Sequence, residues 1–130
     1  MLNRTLDPAG LPVMGTPNYT HGMVTSEVSE WLTIAGQVGV RPDGTTAEGT
    51  FAQCEQAFAN IGGLLREAGM GPENLCHLRI FLIDRADIPD LRAARSAFLG
   101  PDLKVPSTLV IVSGLVDPAW RVELEIVAAK

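Results

Sequence analysis

Val105-Pro106-Ser107-Thr108-Leu109-Val110-Ile111-Val112-Ser113-Gly114-Leu115-Val116-Asp117-Pro118-Ala119-Trp120-Arg121-Val122-Glu123-Leu124-Glu125-Ile126-Val127-Ala128 decides how the rest of this chain is read. It reads as two strands joined by a loop carrying Gly114 and Pro118. The first, from about Ser107 to Val112, is almost wholly apolar, the pattern of a strand buried on both faces. The second alternates. Val122, Leu124 and Ile126 point one way and Arg121, Glu123 and Glu125 the other. The apolar face belongs under helices. Three charges on the opposite face are tolerated only if they are paired, solvated or lining a cleft.

The elements upstream supply the cover. Residues 1–20 are loop-rich, punctuated by Pro8, Gly10, Pro12, Gly15 and Pro17, with room for a short strand before Pro8. Tyr19 to Thr25 reads as a strand, and Trp31 to Val38 as its return partner in a hairpin. Thr50-x-x-Gln53 has the form of a capping box. Phe51, Cys54, Phe58, Ile61, Leu65 and Ala68 then recur at helical spacing up to Gly69. Gly62-Gly63 inside this helix suggests close packing on a sheet. Glu73 to Asp84 reads as a long strand with Cys76, Leu78, Ile80 and Leu82 on one face and Leu75, His77, Arg79, Phe81 and Ile83 on the other. A second helix starts at Asp87, carries Leu91, Ala94 and Phe98 inward, and stops at Gly100-Pro101.

The order β-β-β-α-β-α-β-β predicts an α+β fold with two helices on one face of a sheet. The uncovered face still carries Trp31 and Phe81, which predicts an oligomer. A length of 130 residues predicts one domain, 1–130. The formal charge of −5, with ten scattered basic residues, argues against nucleic acid as a partner. No apolar run approaches the ~20 residues of a membrane span, and the first residues lack the apolar core of a signal peptide. A cytoplasmic protein with reduced thiols is expected. Two histidines and two isolated cysteines without ligand spacing predict no metal and no cofactor. Cys54 and Cys76 read as core, and His21 as a hydrogen-bonded structural residue.

Several motifs fall in an order that resembles the RidA/YjgF family. They are Pro17-Asn18-Tyr19-Thr20-His21-Gly22 (with one inserted residue), Ala35-Gly36-Gln37-Val38, Gln53 through Asn60-Ile61 to Ala68-Gly69, and the closing Val122-Glu123-Leu124-Glu125-Ile126. The resemblance implies a chorismate-mutase-like mixed sheet, a homotrimer with clefts between subunits, and hydrolysis of reactive enamines and imines to ketones and ammonia. It makes Glu123 the catalytic candidate. Tyr19, Ala35, Gly36 and Thr108 fall at substrate-binding positions, and Arg95 lies on a helix that in the family borders the cleft. The family arginine two residues after the signature proline is replaced here by Thr108, and the serine before Gly36 by Ala35. Thr108 can hydrogen-bond but cannot neutralise a carboxylate.

Two functions are consistent with this pattern. One is a hydrolase with altered specificity, in which Glu123 handles water and Arg95 offers a replacement cation. The other is a non-catalytic metabolite-binding or chaperone-like trimer. The acidic charge disfavours an endoribonuclease. Beside these roles, Glu123 could form a salt bridge to Arg121 or Arg79.

Overall fold

A computed structural model describes all 130 residues. The strands are β1 (Leu2–Leu6), β2 (Gly22–Ser26), β3 (Trp31–Val38), β4 (Leu75–Leu82), β5 (Ser107–Ile111) and β6 (Val122–Ala129). The helices are α1 (Thr50–Glu67) and α2 (Ile88–Leu99). A four-stranded mixed sheet has the order β3-β6-β4-β5, with β4 and β5 parallel and the other neighbours antiparallel. β1 and β2 form a separate antiparallel pair.

The alternation of β6 carries the architecture. Val122 and Leu124 are fully buried and Ile126 is nearly so. They join Leu78, Ile80 and Leu82 of β4 beneath Phe58, Ile61 and Leu65 of α1 and Leu91 and Ala94 of α2. Each fully buried aliphatic side chain contributes roughly 2 kcal/mol of transfer free energy, so this layer is the main source of stability. The α+β class, with two helices on one face of a mixed sheet, is as the sequence predicts.

Several local expectations are corrected. β3 is not the return strand of a hairpin with β2; it pairs with the C-terminal β6, whose apolar face continues its own. β5 is not buried on both faces. It is the edge of the sheet, its exposure alternates, and Thr108 and Val110 are exposed. Leu75 is core and Cys76 only half-buried, because the ladder slips between Leu75 and His77 and exchanges their faces. Phe51 is exposed, and the helix buries Thr50 and Gln53 instead. Gly62 packs toward Phe98 of α2 and its own Arg66, not toward the sheet.

The capping box at Thr50 does not form; the N-cap is Gly49, with no side-chain cap. Thr50 Oγ1 instead donates to Asp87 Oδ1 (2.9 Å) and accepts from Arg121 Nε (2.9 Å). Gln53 donates to the Ala119 carbonyl (3.0 Å) and accepts from the Arg121 amide (2.8 Å). The polar pattern at the head of α1 thus fixes the entry of β6. The helix ends as expected: Gly69 at φ 68° donates to Arg66 O, and Met70 donates to Leu65 O.

Candidate functional site on the open sheet face

The face of the sheet away from the helices carries the charges. Reading across it from β3, one row runs Val38, Glu123, Phe81, Val110. The next runs from the Ala35-Gly36 bulge through Glu125 and Arg79 to Thr108. Beyond that lie Thr33, Val127 and His77. Trp31 is 61% exposed on the same side.

Glu123 sits beside β3 where the chain bulges between Ile34 and Gln37. The bulge turns Gly36 toward it so closely that a Cβ on Gly36 would lie 2.7 Å from the Glu123 carboxyl carbon. Only glycine leaves room for this carboxylate. The other charges on β6 and its entry are engaged. Arg79 pairs with Glu125, and Arg121 pairs with Asp87 at 2.7 Å. Neither salt bridge open to Glu123 in the sequence is made, so its carboxylate remains available for water or a ligand.

Glu123, Gly36, Ala35 and Thr108 therefore share one face. Thr108 is exposed and stands directly opposite Arg79 in the parallel ladder. A hollow of about 210 Å³ beside this row is lined by Thr33, His77, Arg79, Glu125 and neighbouring β3 and β6 residues. Burial, and then the Arg79 charge, lower the His77 pKa below its ordinary value.

Tyr19 lies elsewhere. It borders a cavity of about 280 Å³ with Asp7, Pro12, His21 and Lys104. His21 Nε2 lies 2.7 Å from the Pro12 carbonyl, which places the ring proton there. The Asp7 carboxylate accepts from the His21 amide and the Thr20 hydroxyl, and these bonds lower its pKa. Neither Glu123 nor Thr108 lines this cavity.

Arg95 is not a free cation. It is 3% exposed on the helix side of the sheet, its Nη2 donates to the Pro17 carbonyl (2.9 Å), and its Nε is buried without a partner. Burial lowers its pKa. The expectation that Arg95 replaces the absent arginine is corrected on these grounds, since a guanidinium sealed under a loop cannot reach a ligand beside Glu123. The arginine on the open face is Arg79, which the sequence offered only as a partner for Glu123 and which pairs with Glu125 instead. Its signal was present in the period-two alternation of β4, which puts it on the mixed face.

Asn18 organises the Tyr19 loop. Its backbone is left-handed (φ 63°) and it is 7% exposed. Its amide donates to the Gly100 and Leu103 carbonyls (both 2.7 Å), its Oδ1 accepts from Ser96, and its own carbonyl accepts from Val105 N. No cluster of three or more His, Cys, Asp or Glu side chains suited to a metal ion is present. No helix is long and apolar enough to cross a membrane.

Comparison with known proteins agrees with this fold. Residues 14–130 match the family model described as Endoribonuclease L-PSP. A RutC family protein of Aquifex aeolicus is 34% identical over 106 residues, covering 80% of this chain and 84% of the relative. A RutC family protein of Haemophilus influenzae is 30% identical, covering 79% and 88%. Among solved structures, the Rid-family protein YyfB of Yersinia pestis superposes over the whole of both chains with a TM-score of 0.89 and 25% identity. RidA of an Antarctic Psychrobacter superposes with a TM-score of 0.73 and 25% identity, covering 98% of this chain and 99% of that one.

Proposed function

The chain belongs to the Endoribonuclease L-PSP family, which includes the RutC and Rid proteins, and on that basis we propose that it hydrolyses small reactive imines or enamines, releasing ammonia. The observation that carries the reading is the Glu123 carboxylate, unpaired on the open face and fitted against Gly36. A carboxylate so placed can orient and deprotonate water for attack on a C=N carbon, and can return the proton to the departing nitrogen. The backbone at Gly36 and the hydroxyl of Thr108 offer hydrogen bonds to the substrate.

The working form is a homotrimer in the cytoplasm. Trp31, Val110 and Phe81 lie on a face that a second copy would cover, and clefts between copies would enclose Glu123 and bring a neighbour's Tyr19 loop toward it. The absence of an arginine at position 108 favours one competing reading, a trimer that binds metabolites without turning them over.

Ammonia release from freshly generated carboxylated and uncarboxylated imines separates the two. The wild type is expected to turn over at least one substrate class and Glu123→Gln none. Full activity in Glu123→Gln would overturn the mechanism. Saturable binding with no turnover by the wild type would establish the binding reading in its place.

A further inference from the structure

We infer that this site selects imines that carry no carboxylate and holds them as the planar iminium cation. The inference rests on the hydrolase reading for the reaction, but on the charges of the open face for what is bound. Arg79 is the one basic residue in the four strands of the main sheet, and it is paired with Glu125. Arg121, at the entry to β6, is paired with Asp87. Arg95 is buried and held to the Pro17 carbonyl. Burial, and then the Arg79 charge, disfavour the charged form of His77. Glu123 is in neither ion pair, so the face has one uncompensated charge, and it is negative.

The cross-strand neighbours of Glu123 are apolar. Val38 stands opposite it on β3 and Phe81 on β4, with Val110 beyond Phe81 on β5. An apolar surround strengthens both the attraction of a cation to this carboxylate and the repulsion of an anion from it. A ligand carboxylate would lie beside Glu123 with no free cation of the sheet to neutralise it. A protonated imine instead directs its N–H donors at the Glu123 oxygens and its carbon chain toward Phe81 and Val38. The Tyr19 loop of a neighbouring copy leaves the balance unchanged, because Lys104 shares its cavity with Asp7. Thr108, which cannot hold a carboxylate, suits such a substrate.

In the reaction, a protonated imine and one water give a ketone or aldehyde and ammonium. Glu123 takes a proton from water as the oxygen bonds to the iminium carbon and the C=N π pair moves to nitrogen. The carboxyl group returns that proton to the nitrogen. The C–N bond then breaks with its pair leaving on ammonia, the hydroxyl oxygen closes the C=O bond, and the hydroxyl proton ends on the ammonia.

Benzamidine, benzamide and benzoate share one shape and are cationic, neutral and anionic near neutral pH. Benzamidinium is planar and cationic across its C–N bonds, like a protonated imine. Titration calorimetry of all three with the full chain tests the inference. The wild type should bind benzamidine about tenfold more tightly than benzamide, the scale of one charge-assisted contact, and benzoate more weakly than benzamide. Glu123→Gln should bring the three level, weakening benzamidine and tightening benzoate. Opposite shifts from one substitution cannot come from misfolding. In turnover, the imine made from phenethylamine by an amine oxidase should be preferred to the imine made from phenylalanine by an amino-acid oxidase. Benzoate bound as tightly as benzamide, no binding of benzamidine, or an unchanged order in Glu123→Gln would each overturn the inference. A benzoate preference abolished by Lys104→Gln would overturn it too, and would assign an anion anchor to the neighbour's loop. The expected binding order without ammonia release from any imine would remove the hydrolase reading and leave the charge selection standing. Faster turnover of the phenylalanine imine would do the reverse.

Discussion

The carboxylate of Glu123 occupies the space above Gly36 that any side chain at that position would need. The obstructing atoms belong to the far end of a flexible side chain, so Gly36→Ala should cost under ~1 kcal/mol while turning Glu123 away. Gly39 is the contrast. A Cβ there would meet the backbone Cα of Gln53 at 2.5 Å, and backbone cannot swing aside, so Gly39→Ala should cost about 1–3 kcal/mol. Urea unfolding paired with the activity assay checks both. A large stability loss in Gly36→Ala with activity intact would reverse the assignment.

His77 is expected to contribute to the acid limb of stability. Its pKa is lowered by burial and by Arg79, against an opposing pull from Glu125. The unfolded chain therefore binds more protons than the folded one in the window just below the unperturbed value of 6.5. Stability from this group is fully present above that value and is lost as pH falls through the folded pKa. Thermal melts between about pH 7.5 and about pH 5.5 should fall more steeply for the wild type than for His77→Gln. Parallel slopes would show that His77 contributes nothing.

The two thiols should separate in reactivity. Burial, with the charges of Asp90 and Asp87, pushes the Cys54 thiol up to about 12. Cys76 is half-buried and accepts a hydrogen bond from Thr25. Iodoacetamide at about pH 8 should label Cys76 and spare Cys54 until the chain is unfolded, as peptide mass spectrometry would show. Labelling of both at similar rates would contradict the packing of α1.

Asp87 holds three elements together. It accepts from Thr50 of α1 and from both Nε and Nη2 of Arg121 at the entry to β6, and it precedes α2. Asp87→Ala leaves a partly buried guanidinium unpaired and should cost about 2–4 kcal/mol. The denaturation midpoint should drop, with a smaller drop for Asp87→Asn. An unchanged midpoint in the alanine variant would show the network to be incidental.

Periodicity made the order of elements, the β6 alternation and the helix layer legible, because apolar burial enforces one face per element. Misreadings arose where a side chain serves a distant partner. Thr50 and Gln53 look like a local cap, yet their hydrogen bonds go to Asp87 and to residues 119–121. Strand neighbours could not be read because pairing of β3 with β6 is decided about ninety residues away. The slip near Cys76 reverses faces in a way that alternation cannot register. The pairing of Glu123 with Gly36 was legible only as two motifs of one resemblance; their contact is a property of the bulge. Arg95 misled because a helix that borders the cleft in the family offered it as a cation, whereas this one is buried and seals a loop.

The Asn18 junction has a consequence for modularity. One residue in a left-handed conformation closes the carboxyl end of α2, receives the amide leading into β5 and carries Tyr19 as its neighbour. The Tyr19 loop is therefore not an exchangeable cassette. A chimera grafting residues 15–21 from a relative must import residues 95–105 with them, or the graft will arrive without its mooring.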